Sequence, residues 1–237
     1  MLIDTTYRTE QTEIMDDFSL QGEELHDALD KIAKINRLLG GNKLTIEGVD
    51  DLIAAVNPTE EITIIDLGCG NGDMLRTISN HSKQYGFNFK LIGVDANSDA
   101  INYARELSIH YPNIKYYCAD IFGKEVDDLE FDIALFTLTL HHFKDKQIDD
   151  LLTKFHKNAR IGIVINDLHR SSVAYRLFQG LCFVFRLNRI SRNDGLISIL
   201  RGFKKAEMIP LSEKLNCKNY TIQWKWAFRY QWIISKI

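Results

Sequence analysis

One short run does most to limit what this chain can fold into: Ile64-Ile65-Asp66-Leu67-Gly68-Cys69-Gly70-Asn71-Gly72-Asp73. It reads as an apolar strand, a carboxylate, three alternating glycines and the start of a helix. Glycine lacks a Cβ, so backbone built from it can bend sharply and lie directly against a ligand. The predicted helix, roughly Asp73 to Lys83, presents its unpaired N–H groups to the same place. A dinucleotide-binding turn would read Gly-x-Gly-x-x-Gly, with pyrophosphate on the helix N-terminus. Here the spacing is Gly-x-Gly-x-Gly, with Asp66 two residues before the first glycine. That tighter spacing does not match the dinucleotide turn.

Strand and helix signals alternate around this turn. Expected strands are Glu61–Leu67, Phe89–Val94, Ile114–Cys118, Phe131–Thr137 and Ile161–Ile165, with helices over Ser98–His110, capped by its serine, and Lys146–Asn158. Such alternation predicts a parallel sheet covered on both faces, with ligands beyond the carboxyl ends of its strands. Asp66, Asp95, Asp120, Thr137 and Asp167 all fall at those ends. Two helices are expected ahead of the sheet: Glu23–Leu39, ended by Gly40-Gly41, and Thr45–Val56, closed by Asn57-Pro58. Past residue 170 the pattern changes. Val173–Phe185 reads as an apolar helix, Arg186–Gly202 as a loop and Lys204–Leu215 as a helix holding Pro210. Tyr220–Trp226 and Tyr230–Lys236 then read as a hairpin. The expected division is a helical extension or lid over 1–58 and a catalytic domain over 59–237, with a substrate-side insertion at 170–203.

Composition removes several function classes. A formal net charge of −3 gives no nucleic-acid surface, and the local basic cluster of Arg186, Arg189, Arg192 and Arg201 reads as a solvated face. Cys69, Cys118, Cys182 and Cys217 form no Cys-x-x-Cys pair, which argues against zinc or a disulfide framework. Met1–Glu13 is too polar for a signal peptide, and Leu177–Leu187 is too short to span a bilayer. These features point to a cytoplasmic protein without stable membrane insertion. They do not define its oligomeric state.

The glycine turn with its leading acid resembles the first motif of class I S-adenosylmethionine-dependent methyltransferases, over about residues 60–237. The resemblance implies a Rossmann-like, seven-stranded, mostly parallel α/β sheet with a C-terminal antiparallel hairpin and helices on both faces. It also implies S-adenosyl-L-methionine as cofactor and S-adenosyl-L-homocysteine as product. By that resemblance Asp95, followed by Ala96, accepts both ribose hydroxyls, which suits the two oxygens of a carboxylate. Asp66 would hold loop amides or, through water, the ligand's ammonium group. Gly68, Cys69, Gly70 and Gly72 would admit its sugar and amino-acid portion. Asp120 would bind the adenine amino group, Ile121 would pack on the ring, and Thr137 and Leu138 would lie along the methionine portion.

Leu140-His141-His142-Phe143 resembles a pattern of small-molecule methyltransferases related to those of quinone biosynthesis. Arg37–Gly41, Asn166–Ser171 and Asp194–Phe203 resemble a bacterial group found with polyketide or phenolic-lipid biosynthesis. Paired histidines suggest a metal, but no third ligand stands at useful spacing, so none is expected. His141 or His142 is a candidate base, since imidazole titrates near ~6.5. His169 is a rival base, with Asp167 placed to orient it. Tyr175, Phe178, Phe183 and Phe185 would suit a flat acceptor. The expected activity is methyl transfer to the hydroxyl oxygen of a small, hydrophobic, phenolic or polyketide-like molecule. C-methylation of a quinone precursor, an NAD-dependent oxidoreductase and a non-catalytic binding module are the rivals; the glycine spacing speaks against the oxidoreductase.

Overall fold

The computed structural model describes residues 3–54, 56, 60–215, 217 and 219–237. Among these, seven strands form one sheet: β1 (Glu61–Leu67), β2 (Asn88–Asp95), β3 (Ile114–Cys118), β4 (Ile133–Thr137), β5 (Gly162–Leu168), β6 (Asn219–Lys225) and β7 (Arg229–Ser235). Their order is β3-β2-β1-β4-β5-β7-β6. The first five run parallel; β7 is antiparallel to both β5 and β6. The order reverses beside β1, so a crevice opens where β1 and β4 deliver their C-terminal ends.

Helices cover both faces because alternate strand residues are apolar in both directions. Ile65, Leu67, Ala134, Phe136, Ile163 and Ile165 meet α5 (Lys124–Asp127), α6 (Asp145–Asn158) and α9 (Lys205–Lys214) on one side. Ile62, Ile64, Leu91, Ile133, Leu135 and Val164 meet α2 (Gly41–Ile53), α3 (Asp73–Tyr85) and α4 (Ser98–Leu107) on the other. α2 is thus part of the sheet's cover: Val49, Leu52 and Ile53 belong to that core. α1 (Glu23–Leu38) and the segment before it lie instead against α8 (Arg189–Arg201), the connection to it from α7 (Ser172–Val184), and the glycine turn.

Several elements depart from expectation. Gly40-Gly41 joins two helices with almost no loop, Gly40 taking a left-handed φ of 78° and Gly41 opening α2. Asn57-Pro58 lies outside the described residues. α4 is capped by Asn97, whose side chain accepts from the Ala100 amide at 2.9 Å; Ser98 is its first helical residue. β5 runs on to Leu168 because β7 pairs with it that far, so Asn166 and Asp167 lie inside the strand. The largest correction is α8, expected as loop. Its buried residues, Ile190, Ser191, Asp194, Ser198, Ile199 and Arg201, mix apolar and polar types. A helix enclosed in this way shows no single apolar stripe.

Candidate active site

The glycine turn is tied to β2. Gly68 and Cys69 donate to the Val94 carbonyl at 2.8 and 3.1 Å, and Gly70 donates to Asp95 Oδ2 at 2.9 Å. Asp95 Oδ1 accepts from the Asn97 amide at 2.9 Å. The loop amide that Asp66 was expected to hold therefore bonds to Asp95. Each Asp95 oxygen keeps a further lone pair for a ligand. Burial raises the Asp95 pKa, and the Asn97 and Gly70 amides oppose that rise.

Asp66 sits on the next strand, in register with Gly93, and is buried. Its Oδ1 has no hydrogen-bond partner among the described residues. Burial, reinforced by the nearby Asp95 charge, pushes its carboxyl up to about 8. A buried acceptor without a donor is costly, and cationic or donor groups of a ligand would relieve it.

A cavity of about 1510 Å³ opens over the sheet's carboxyl edge. It exceeds the 300–1,000 Å³ usual for one small ligand, so two molecules can share it. Asp66, Gly68, Cys69, Gly70, Asp95 and Ala96 reach its wall. So do Asp120, Ile121, Thr137, Leu138, His141 and His142. Asp120 also accepts locally from the Phe122 amide at 2.9 Å, and Leu138 has a left-handed φ of 56°.

Two expected residues are placed elsewhere. Gly72 is off the cavity wall: a Cβ there would stand 2.1 Å from the Tyr116 hydroxyl, so its bareness serves internal packing. His169 is off the wall as well, its Nδ1 accepting from Trp224 Nε1 at 3.2 Å. Asp167 does not orient it. That carboxylate meets His141 Nδ1 at 2.7 Å and accepts from the Leu168 amide at 2.7 Å, which, against its burial, holds its pKa low. Of the four aromatics expected at the acceptor wall, Phe178 lines the cavity, and Phe183 is 88% exposed.

The strap over residues 5–17 was invisible in the sequence. Arg8 donates to the carbonyls of Arg201, His141 and Phe143 and pairs with Asp145. Thr5 and Thr6 carbonyls accept from the buried Arg170, which also pairs with Glu207. Asp194 of α8 accepts from the Ile14 and Met15 amides at 2.8 and 2.9 Å. Arg201, far from being a solvated surface charge, is buried and bonds the His141 and His142 carbonyls and Asp16. These ties set Glu13 and Asp16 against the histidine pair. His142 Nδ1 lies 2.7 Å from Asp16 Oδ1. Glu13 Oε1 lies 3.6 Å from His141 Nε2, while Glu13 Oε2 accepts from Ser198 at 2.8 Å. Burial lifts Glu13 to about 7 despite His142, Ser198 and Arg201. None of these partners follows from a local motif; every contact named here between the strap and the rest of the molecule spans more than 100 residues of chain.

Residues 64–162 match the family described as a methyltransferase domain. This chain has the class I methyltransferase fold. Its likeness to the plantazolicin methyltransferase BpumL, solved with S-adenosylhomocysteine, has a TM-score of 0.65 at 19% identity, covering 88% of this chain and 89% of that one. Protein 235L of Invertebrate iridescent virus 6, described as a methyltransferase, is 35% identical over 85 residues, or 36% of this chain and 29% of that protein. Phosphoethanolamine N-methyltransferase 3 of Arabidopsis thaliana is 23% identical over 114 residues, 47% of this chain and 22% of that protein. The matched regions thus span less than a third of these two curated relatives. No helix among the described residues is long and apolar enough to cross a membrane.

Proposed function

We propose that this chain is an S-adenosylmethionine-dependent methyltransferase acting on the hydroxyl oxygen of a small, hydrophobic acceptor of phenolic or polyketide type. One observation carries the reading: Asp66 and Asp95, on neighbouring strand tips around the glycine turn, share a single large cavity with the His142 corner. Asp95 has acceptor capacity for a ribose diol, and the unpartnered Asp66 oxygen suits the ammonium end of the donor. Phe178, Leu177 and Leu181 supply apolar wall for the acceptor.

The reaction is an in-line displacement. The acceptor oxygen forms a bond to the methyl carbon, the carbon–sulfur bond breaks, and sulfur keeps the electron pair as a thioether. The hydroxyl proton passes to His142, which Asp16 anchors through the other ring nitrogen. Holding oxygen and methyl in line supplies about 7–11 kcal/mol of the barrier. The strap and α7–α8 exclude water, which favours a step that cancels a phenolate and a sulfonium charge.

Calorimetry should detect S-adenosylhomocysteine binding to the wild type, weakened about 10- to 100-fold in Asp95→Ala, as loss of charge-assisted hydrogen bonds worth about 1.5–3 kcal/mol implies. Labelled methyl from the donor should then appear as a methyl ether on a phenolic acceptor. A folded wild type that does not bind the thioether product would refute the reading; label on carbon alone would refute its oxygen specificity.

A further inference from the structure

The corner assigned above to proton transfer has a second chemical character. Both histidines are fixed in the same sense. Each places Nδ1 2.7 Å from a carboxylate, His141 on Asp167 and His142 on Asp16, and both Nε2 atoms then face Glu13. That arrangement, carboxylate to Nδ1 with Nε2 left for a ligand bond, is the one metal-bound histidines adopt. The donor atoms of Glu13, His141 and His142 lie within 4.8 Å of one another.

Two of those atoms are otherwise unexplained. His141 Nε2 and Glu13 Oε1 are buried and have no hydrogen-bond partner among the described residues. They stand 3.6 Å apart, too far for a hydrogen bond. Bonds of 2.0–2.2 Å at tetrahedral angles put ligand atoms about 3.3 Å apart, so that pair is nearly at the separation a bridging ion needs. His142 Nε2, 3.9 Å from Glu13 Oε2, needs a modest side-chain shift.

Charge agrees. Glu13 and Asp16 face the Arg201 guanidinium, Asp167 has the buried Arg229 guanidinium in its field, and Arg8 is matched by Asp145. With neutral imidazoles one negative charge is left for a dication to offset.

We propose that Glu13, His141 and His142 bind a first-row divalent cation of the zinc type, with the cavity side left open for water or an acceptor oxygen. Two imidazoles and one carboxylate suit zinc or cobalt better than magnesium or calcium. The chain-local spacing that argued against a metal misses Glu13, which lies 128 residues before His141 and reaches it only through the strap. The inference deepens the proposed methyl transfer. His142 would then be a ligand, and the ion, not a free imidazole, would acidify the acceptor hydroxyl.

The test is a titration of the chelator-treated full chain with Co2+, read by visible absorption, beside S-adenosylhomocysteine calorimetry on the same sample. One saturable equivalent is expected, displaced by Zn2+ and not by Mg2+. Glu13→Gln and His142→Ala should abolish it, and Asp16→Asn should weaken it about 10- to 100-fold. Circular dichroism confirms that each variant is folded. Wild type that binds the thioether but not Co2+ overturns the cation site and leaves His142 as the base. Co2+ binding unchanged in folded Glu13→Gln and His142→Ala overturns it too. Cobalt without thioether binding would retain the site and remove the methyltransferase reading.

Discussion

Asp167 Oδ1 lies 2.7 Å from His141 Nδ1, with both side chains almost wholly buried. The same carboxylate accepts from the backbone amides of His141 and Leu168. It therefore fixes the turn after β4 as well as the ring. Asp167→Ala strips three donors of their partner at once. Leaving buried hydrogen-bond donors without an acceptor costs about 1–3 kcal/mol. Urea unfolding should show a loss in that range, and a change under about 1 kcal/mol would mean that the turn does not depend on this carboxylate.

Asp66 predicts a pH dependence. Its carboxyl is pushed up to about 8 in the folded protein, by burial and then by the Asp95 charge, against an ordinary value of 3.8. Between those values the folded state holds a proton that the unfolded chain has lost, so stability falls as pH rises from about 4 to about 8 and is flat beyond. Asp66→Asn removes that slope. Without ligand the variant should melt above the wild type at pH 8 by at least about 3 °C, the shift that about 1 kcal/mol gives in a chain of this size. The gap should close near pH 4. Scanning calorimetry at both values checks the sign.

Gly72 and Tyr116 form a testable pair. Gly72 has a left-handed φ of 75°, and an added Cβ would stand 2.1 Å from the Tyr116 hydroxyl, which bonds Ser108 Oγ at 2.8 Å. Gly72→Ala should cost at least about 2 kcal/mol through backbone strain and overpacking together. With Tyr116→Phe in the same chain part of that cost should return, leaving the roughly 1–2 kcal/mol of left-handed strain and the overlap with the ring carbons at 2.8 and 3.0 Å. An additive double mutant would show that the hydroxyl is not what Gly72 makes room for.

Arg201→Lys keeps the charge but not the fork. Arg201 Nε donates to the His141 carbonyl at 3.0 Å, Nη1 to Asp16 at 2.6 Å, and Nη2 to the His142 carbonyl. An ammonium cannot span those three acceptors. We expect a loss of about 2 kcal/mol or more in denaturant unfolding, from buried acceptors left open. A variant as stable as wild type would mean that the strap is not held through this side chain.

The sheet was legible because its strands are short runs rich in aliphatic and aromatic residues, bounded by turn signals. Glu61–Leu67 and Ile114–Cys118 match expectation residue for residue. The placing of Asp66 and Asp95 on one cavity wall was legible for the same reason: they stand at the tips of neighbouring strands. What escaped was set by contacts across the molecule. Arg189–Arg201 hides its helix because polar residues such as Asp194 and Arg201 are buried along it for the sake of the strap. Glu13 and Asp16 sit in a polar stretch without periodicity, and distant bonds give them a place: Ile14 and Met15 to Asp194, Arg201 to Asp16 and Ser198 to Glu13. Asp167 was read beside His169 because the two are close in sequence; His169 lies just past the end of β5, where the chain bridges Phe203 and its ring meets Trp224, while Asp167 is held by His141.

The strap reaches the post-β4 turn through Arg8 and α8 through the bond of Thr9 to the Leu200 carbonyl. Arg8 and Thr9 also line the cavity, so one short segment both moors the strap and shapes the chamber. An engineer seeking a broader repertoire should begin with Arg8 and Thr9 and leave the strands untouched.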